Sequence, residues 1–246
     1  MSRLKSLAAR LWGTRWGKAV VIVLAAVMVL GLVEYWTWPD VASLREERPS
    51  STAFIDLYRA GRRRSGLSDE VAWTWVGYDQ ISPHLKRAVL AAEDINFFGH
   101  DGFAAEEIEA ALKEAWEEWE LPRGASTLTQ QLARNLWLSP SKNPLRKVRE
   151  ALLTRQLEAH LEKRRILEIY LNVVEFGTGI YGAEAAARHY FSKPASDLSP
   201  REAAQLAAGL PRPKSWNPAS ESPSYARRVD LVLERMRQAQ WLWEVI

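Results

Sequence analysis

The feature that most constrains this chain stands at its beginning. Residues 19–33 are apolar without interruption except for Gly31, and the eighteen residues before them carry Arg3, Lys5, Arg10, Arg15 and Lys18 with no acid. Continued through Tyr35, Trp36 and Trp38, the segment 19–38 reaches the roughly 20 residues that a helix needs to span a bilayer, with aromatic rings at its outer end. A cleavable signal peptide has a shorter apolar core and a small-x-small cleavage site, and no such pattern occurs between Val33 and Pro39. The expectation is a retained single-pass anchor. The positive-inside rule then puts residues 1–18 in the cytoplasm and everything beyond Pro39 on the far, periplasmic side of the inner membrane.

Beyond the anchor, the remainder of the 246-residue chain is the size of one domain with its own core. Residues 39–68 are charged and irregular, with Arg59, Arg62, Arg63 and Arg64 beside glycine and serine, and read as a solvated stalk near the membrane. Residues 69–246 read as the functional domain. A short strand is expected at 73–76, and helical periodicity dominates beyond it. Ser82 and Pro83 form an N-cap and first-turn pair for a helix through about Asp94. Ile108, Leu112, Ala115 or Trp116, and Trp119 mark a second helix, and Leu128, Leu132 and Leu136 a third capped by Ser126. A fourth begins near Leu145, and a fifth runs through Ile166, Ile169 and Tyr170. Ser199, Pro200 and Glu202 make a capping box for an Ala-rich helix. Pro211, Pro213 and Pro218 break the chain before a last amphipathic helix through Tyr225, Val229, Leu233 and Met236. The fold class is mainly α.

Composition excludes some chemistry. The chain has no cysteine, so disulfides, thiolate zinc sites and a cysteine nucleophile are ruled out. Its four histidines show no HExxH spacing, and neither a GxSxG elbow nor a P-loop occurs. Ser139 to Lys142 spells S-x-x-K, but without S-D-N or K-T-G the match is chance. A net charge of +3 on 33 cations and 30 anions suits an anionic membrane surface or substrate better than it demands nucleic acid.

Three constellations carry chemistry. Glu93 and Asp94 end a helix just before two phenylalanines and a glycine turn; apolar neighbours raise a carboxylate's pKa and make it a better proton acceptor. By spacing alone a solvated glutamate at a helix end is the blander reading. Thr127, Gln130, Gln131 and Arg134 share one helix face, either as a solvated face or as donors for sugar and phosphate. Arg146, Lys147 and Glu150, with Lys142 upstream, are either ordinary helix ion pairs or a cationic patch for pyrophosphate steered by a carboxylate.

Taken together, these segments resemble the family 51 glycosyltransferases. Glu93-Asp94-x-x-Phe97-x-x-His100-x-Gly102 looks like the family's first motif, and Gly124 to Asn135, containing Ser126, Thr127, Gln130, Gln131, Arg134 and Asn135, looks like its second. Arg146-Lys147-x-x-Glu150 is similar to the third, Lys163 to Asn172 to the fourth, and Gly179 to Lys193 to the fifth. All five stand in the family order, and a single anchor with no second catalytic domain is similar to the monofunctional type.

The resemblance implies a lysozyme-like fold of a large lobe and a small membrane-facing jaw lobe. It implies polymerisation of lipid II onto a glycan held on undecaprenyl pyrophosphate, forming β-1,4 links with inversion. Carried over by motif position, Glu93 is the general base on the acceptor's 4-hydroxyl. Phe97, His100, Ser126, Thr127, Gln130, Gln131 and Asn135 belong to the substrate site. Arg134, Lys142, Arg146 and Lys147 are the cations that neutralise the leaving pyrophosphate. Glu150, the second catalytic carboxylate, orients those cations in preference to holding a metal, since one carboxylate makes a weak metal site. No cofactor is expected to be required, with magnesium or manganese as an optional assistant to the pyrophosphate. Expected partners are the lipid-linked substrates, the membrane, and proteins of cell-wall synthesis or division, without nucleic acid. Two departures stand out: Arg134 occupies a position that is lysine in the family, and Lys142 one that is arginine. The competing readings are a lytic transglycosylase or muramidase and an inactive cell-wall scaffold.

Overall fold

The computed structural model describes residues 15–103, 126–140 and 144–246. The helix expected over Ile108 to Trp119, the basic residues Arg3, Lys5 and Arg10, the Gly124-Ala125 pair and Lys142 lie outside the described residues. The chain divides into two compact units, residues 1–40 and 41–246.

In the first unit, helix α1 spans Arg15–Thr37, and Val20, Ile22, Val23, Leu24, Met28, Val29 and Leu32 along it are exposed. On the described side chains alone, no helix is long and apolar enough to cross a membrane. The case for an anchor rests on the sequence of residues 19–38.

The second unit begins where an irregular stalk was expected, and it is folded instead. Val41, Leu44 and Ile55 are buried. Helix α2 (Ala53–Arg64) is capped by the Thr52 hydroxyl, which accepts a hydrogen bond from the Ile55 N–H at 3.1 Å. Arg165 donates to the carbonyls of Leu44 (2.9 Å) and Glu47 (2.6 Å), tying the preceding turn to the globule. The density of arginine in α2 conceals a narrow buried stripe: Arg63 and Arg64 lie on the exposed face, while Ile55 is fully enclosed.

Strand β1 (Ala72–Trp73) is shorter than the expected 73–76 because the Val76 backbone is claimed elsewhere. Buried Asn172 accepts from the Val76 N–H and donates to its carbonyl, both at 2.9 Å, and its own carbonyl accepts from the Trp73 indole at 2.7 Å. β1 runs parallel to β3 (Ile180–Tyr181), which pairs antiparallel with β2 (Glu175–Gly177) in the order β1-β3-β2. Gly182, at φ +82°, follows the sheet; a Cβ there would meet the Asn172 carbonyl at 2.6 Å, so only glycine fits.

The core is helical. Helix α3 (Pro83–Glu93) starts at the Ser82 cap as expected and packs on α8 (Pro200–Gly209) and α9 (Pro223–Gln238). Helix α4 (Leu128–Trp137) packs on α5 (Pro144–His160) and α6 (Lys163–Val173), and α2 also lies against it. Leu128, Leu132 and Leu136 are buried along α4, but its cap is Thr127, not Ser126. The Thr127 hydroxyl accepts from the Gln130 N–H, and the Gln130 side-chain carbonyl accepts from the Thr127 N–H. Helix α7 (Ala183–Phe191) joins the sheet to α8, whose Ser199/Glu202 capping box and Pro200 stand as expected. In α9 the buried stripe is Tyr225, Val229, Val232 and Met236; Val232 takes the place expected of Leu233, which is half-buried.

Candidate active site

A cleft of about 1340 Å³ opens in the second unit, walled by α2, the ends of α3 and α4, α9, the β2–β3 region and the proline-rich stretch 210–215. Its described walls carry Arg62, Arg134, Arg212, Lys214, Arg228 and Arg235 against only Glu93 and Glu175. Such an excess of positive charge attracts an anionic ligand.

Glu93 is the last residue of α3, where the helix stops because Asp94 turns to extended backbone (φ −162°, ψ 77°). Its side chain is 13% exposed. One carboxylate oxygen accepts from the Gln131 amide at 3.1 Å, and the other from the Arg228 guanidinium at 3.0 Å. Burial pushes the Glu93 pKa up, while Gln131, Arg228 and Arg235 pull it the other way. Gln131 is held in turn: its carbonyl oxygen accepts from the Tyr170 hydroxyl at 2.9 Å, which leaves its NH₂ to face Glu93. Tyr170 is fully buried, and burial holds its hydroxyl well above the ordinary tyrosine range, so it remains a donor.

The rest of the first motif acts as scaffolding. The His100 Nε2–H donates to Asp94 at 3.0 Å, the tautomer being fixed by the Gly102 N–H, which donates to Nδ1 at 3.0 Å. Asp94 also accepts from the Leu128 N–H at 2.9 Å, placing a carboxylate at the positive end of α4. The Thr127 hydroxyl donates to the Gly102 carbonyl at 2.7 Å. These bonds lock the end of α3 against the start of α4, which sets Glu93 beside Gln131.

The expected substrate residues therefore divide. Ser126, Gln131, Arg134 and Asn135 line the cleft. Phe97, His100, Thr127 and Gln130 do not line it among the described residues: Phe97 is fully buried with the Lys163 ammonium 4.5 Å from its ring centre, and Thr127 and Gln130 are consumed by the capping box. The single polar stripe expected on α4 is thus divided between its cap and the cleft.

Glu150 is 1% exposed beneath a group of cations. It accepts from Arg146 at 2.6 Å and Lys147 at 2.5 Å, and the Arg134 Nε lies 3.7 Å away. Of these three cations only Arg134 is among the described cleft-lining residues, so Glu150 links the cleft to the start of α5. Both Glu150 oxygens are engaged by cations, and among the described residues no cluster of three or more His, Asp or Glu is gathered around a common point.

Sequence reasoning missed Arg228 and Arg235. The signal was present: they stand seven apart, beside Val229 and Met236 of the buried stripe, so both flank the face that α9 turns inward. It also missed the cleft contributions of α2 and of Glu175, whose pKa burial pushes up against the opposing pull of Lys214.

Comparison with known proteins adds a lineage. The transglycosylase family matches residues 61–237. A biosynthetic peptidoglycan transglycosylase of Azoarcus sp. strain BH72 is 46% identical over 231 residues, covering 94% of this chain and 97% of its own length. Its counterparts in Methylobacillus flagellatus (42%, 89% of this chain and 95% of its own) and Nitrosospira multiformis (41%, 89% and 95%) are similar along nearly as much of the chain.

Proposed function

We propose, for a chain that belongs to the transglycosylase family and is a peptidoglycan glycosyltransferase, that the cleft around Glu93 is where the glycan is extended from a lipid II type substrate. The carrying observation is a sheltered carboxylate, each oxygen fixed by one donor, in a cleft whose other charges are mostly cationic. In this reading the acceptor's 4-hydroxyl attacks the donor's anomeric carbon. Its proton passes to Glu93, the bond from that carbon to the pyrophosphate oxygen breaks, and undecaprenyl pyrophosphate departs with the electron pair, inverting the centre to a β-1,4 link. Arg134 meets the charge that develops on the leaving group, with Arg146, Lys147 and Lys142 as further cations. A fixed donor of this kind is typically worth about 10²–10³ in rate.

Glu150 is the organiser of those cations. A divalent ion is not required in this reading, and where one assisted it would supply further charge neutralisation for the leaving pyrophosphate. The mainly helical globule with one large cleft fits the lysozyme-like arrangement, and Ser126 and Asn135 are assigned to the sugar. Segment 19–38 is read as the inner-membrane anchor, with the globule on the periplasmic side. The lytic reading is disfavoured by the cleft's cations, because cleavage of finished glycan releases no pyrophosphate.

The test is turnover by the full chain of labelled lipid II and, separately, of polymeric peptidoglycan. Polymer from the first and no fragments from the second is the expected result; fragments from the second alone would replace polymerase with lytic enzyme.

A further inference from the structure

Glu93 is surrounded from several elements. Helix α9 brings Arg228 and Arg235, α4 brings neutral Gln131 with Arg134 beyond it, and α6 brings the Tyr170 hydroxyl. Neighbouring Asp94 is occupied by His100 and the Leu128 N–H. The charges of α8 are engaged elsewhere, Arg201 with Asp230 and Glu202 with Lys193. The C-terminal turn meets α3 at its far end, where Trp243 packs on His84 and Arg87. Of the cations, Arg228 alone among the described residues touches the carboxylate, while Arg235 donates to the Ala92 carbonyl at 3.5 Å.

Two details give Arg228 a specific task. An ionised carboxylate offers about four lone-pair positions, and the bonds from Gln131 and Arg228 use one on each oxygen. The group is thereby fixed in rotation with lone pairs left over. The Arg228 Nε, moreover, is buried without a hydrogen bond among the described residues, so the described hydrogen bond that orients the guanidinium is the one to Glu93. A base must be ionised to receive a proton, and burial alone opposes that.

We propose that Arg228, on the last helix and outside all five sequence motifs, is the positioning residue that keeps the Glu93 carboxylate charged and in one rotation for the incoming hydroxyl. The inference rests on Glu93 being the base. The cation favours the charged form, so without it the carboxylate takes up its proton at higher pH. Partial exposure of the pair limits the size of that shift.

The experiment is the pH dependence of kcat and KM for lipid II with the full-length protein, comparing wild type, Arg228→Lys, Arg228→Gln and Glu93→Gln. For Arg228→Gln the acid limb should move up by about one unit, with kcat near that limb lowered about tenfold, KM within about twofold, and recovery at higher pH. Arg228→Lys should lie between it and wild type. Folded variants whose acid limb coincides with wild type overturn the proposal, as does a pH-independent rise in KM, which would make Arg228 a substrate-phosphate contact. Should Arg228→Gln fail to fold, Arg228→Lys decides, since it keeps the charge but offers only a point contact. Full activity in Glu93→Gln would instead remove the base assignment itself.

Discussion

The Tyr170 hydroxyl donates to the Gln131 side-chain carbonyl at 2.9 Å, and that contact decides which end of the Gln131 amide meets Glu93. A residue of the fourth motif thus acts on the carboxylate of the first through the second. Tyr170→Phe keeps the ring in the core and removes only the hydroxyl, freeing the amide to rotate. It should lower kcat about five- to tenfold, the equivalent of roughly 1 kcal/mol, with KM for lipid II nearly unchanged. Steady-state kinetics with a melting curve on the same preparation checks this, and a kcat equal to wild type would show that the tyrosine only packs.

Glu150 should be felt in stability and in substrate affinity together. Glu150→Gln removes a buried negative charge from beneath Arg134, Arg146 and Lys147. A loss of about 1–3 kcal/mol in denaturant unfolding is expected, together with a higher KM for lipid II as the cations separate. If Glu150 acts by holding these cations, magnesium or manganese should not restore the variant; full restoration by either ion would assign Glu150 to metal binding.

Asn172 holds the Trp73–Val76 segment to α6 through its side chain and backbone. Asn172→Ala leaves the half-buried Val76 N–H and C=O without these partners, which should cost about 1–3 kcal/mol in urea unfolding. A loss below about 0.5 kcal/mol would mean that the segment finds other partners.

These residues also mark what the sequence made legible. Helices α3, α4, α6, α8 and α9 announce themselves by apolar residues every three or four positions, and all but α6 also by a proline or hydroxyl at the start, signals that are local in the chain. Helix α2 was hidden because its arginines outweigh one buried isoleucine in any local reading. The early end of β1 depends on Asn172, about a hundred residues away, which local pattern does not reveal. In the site, Glu93, Gln131 and Arg134 came into view through the family resemblance, since spacing alone left a solvated reading open for each. The removal of Thr127 and Gln130 into a cap was written in a Thr-x-x-Gln spacing that was read as a binding face. Arg228 required knowing that α9 packs on α3.

The proposed anchor makes a separate prediction. If residues 1–38 keep the enzyme at the lipid surface, their removal lowers the effective concentration of substrate without altering the cleft. The truncated protein should show a raised KM for lipid II in liposomes at unchanged kcat. An equal KM in liposomes would remove the anchor from substrate capture.

The most direct measurement is polymerisation of labelled lipid II by the full-length protein beside Glu93→Gln, a substitution that keeps the shape and removes the charge. The account predicts glycan polymer from wild type and, from a folded variant with the same melting temperature, a rate lower by about 10² or more. Polymer formed at the wild-type rate by the variant would contradict it, and the proton acceptor would then have to be sought elsewhere in the cleft.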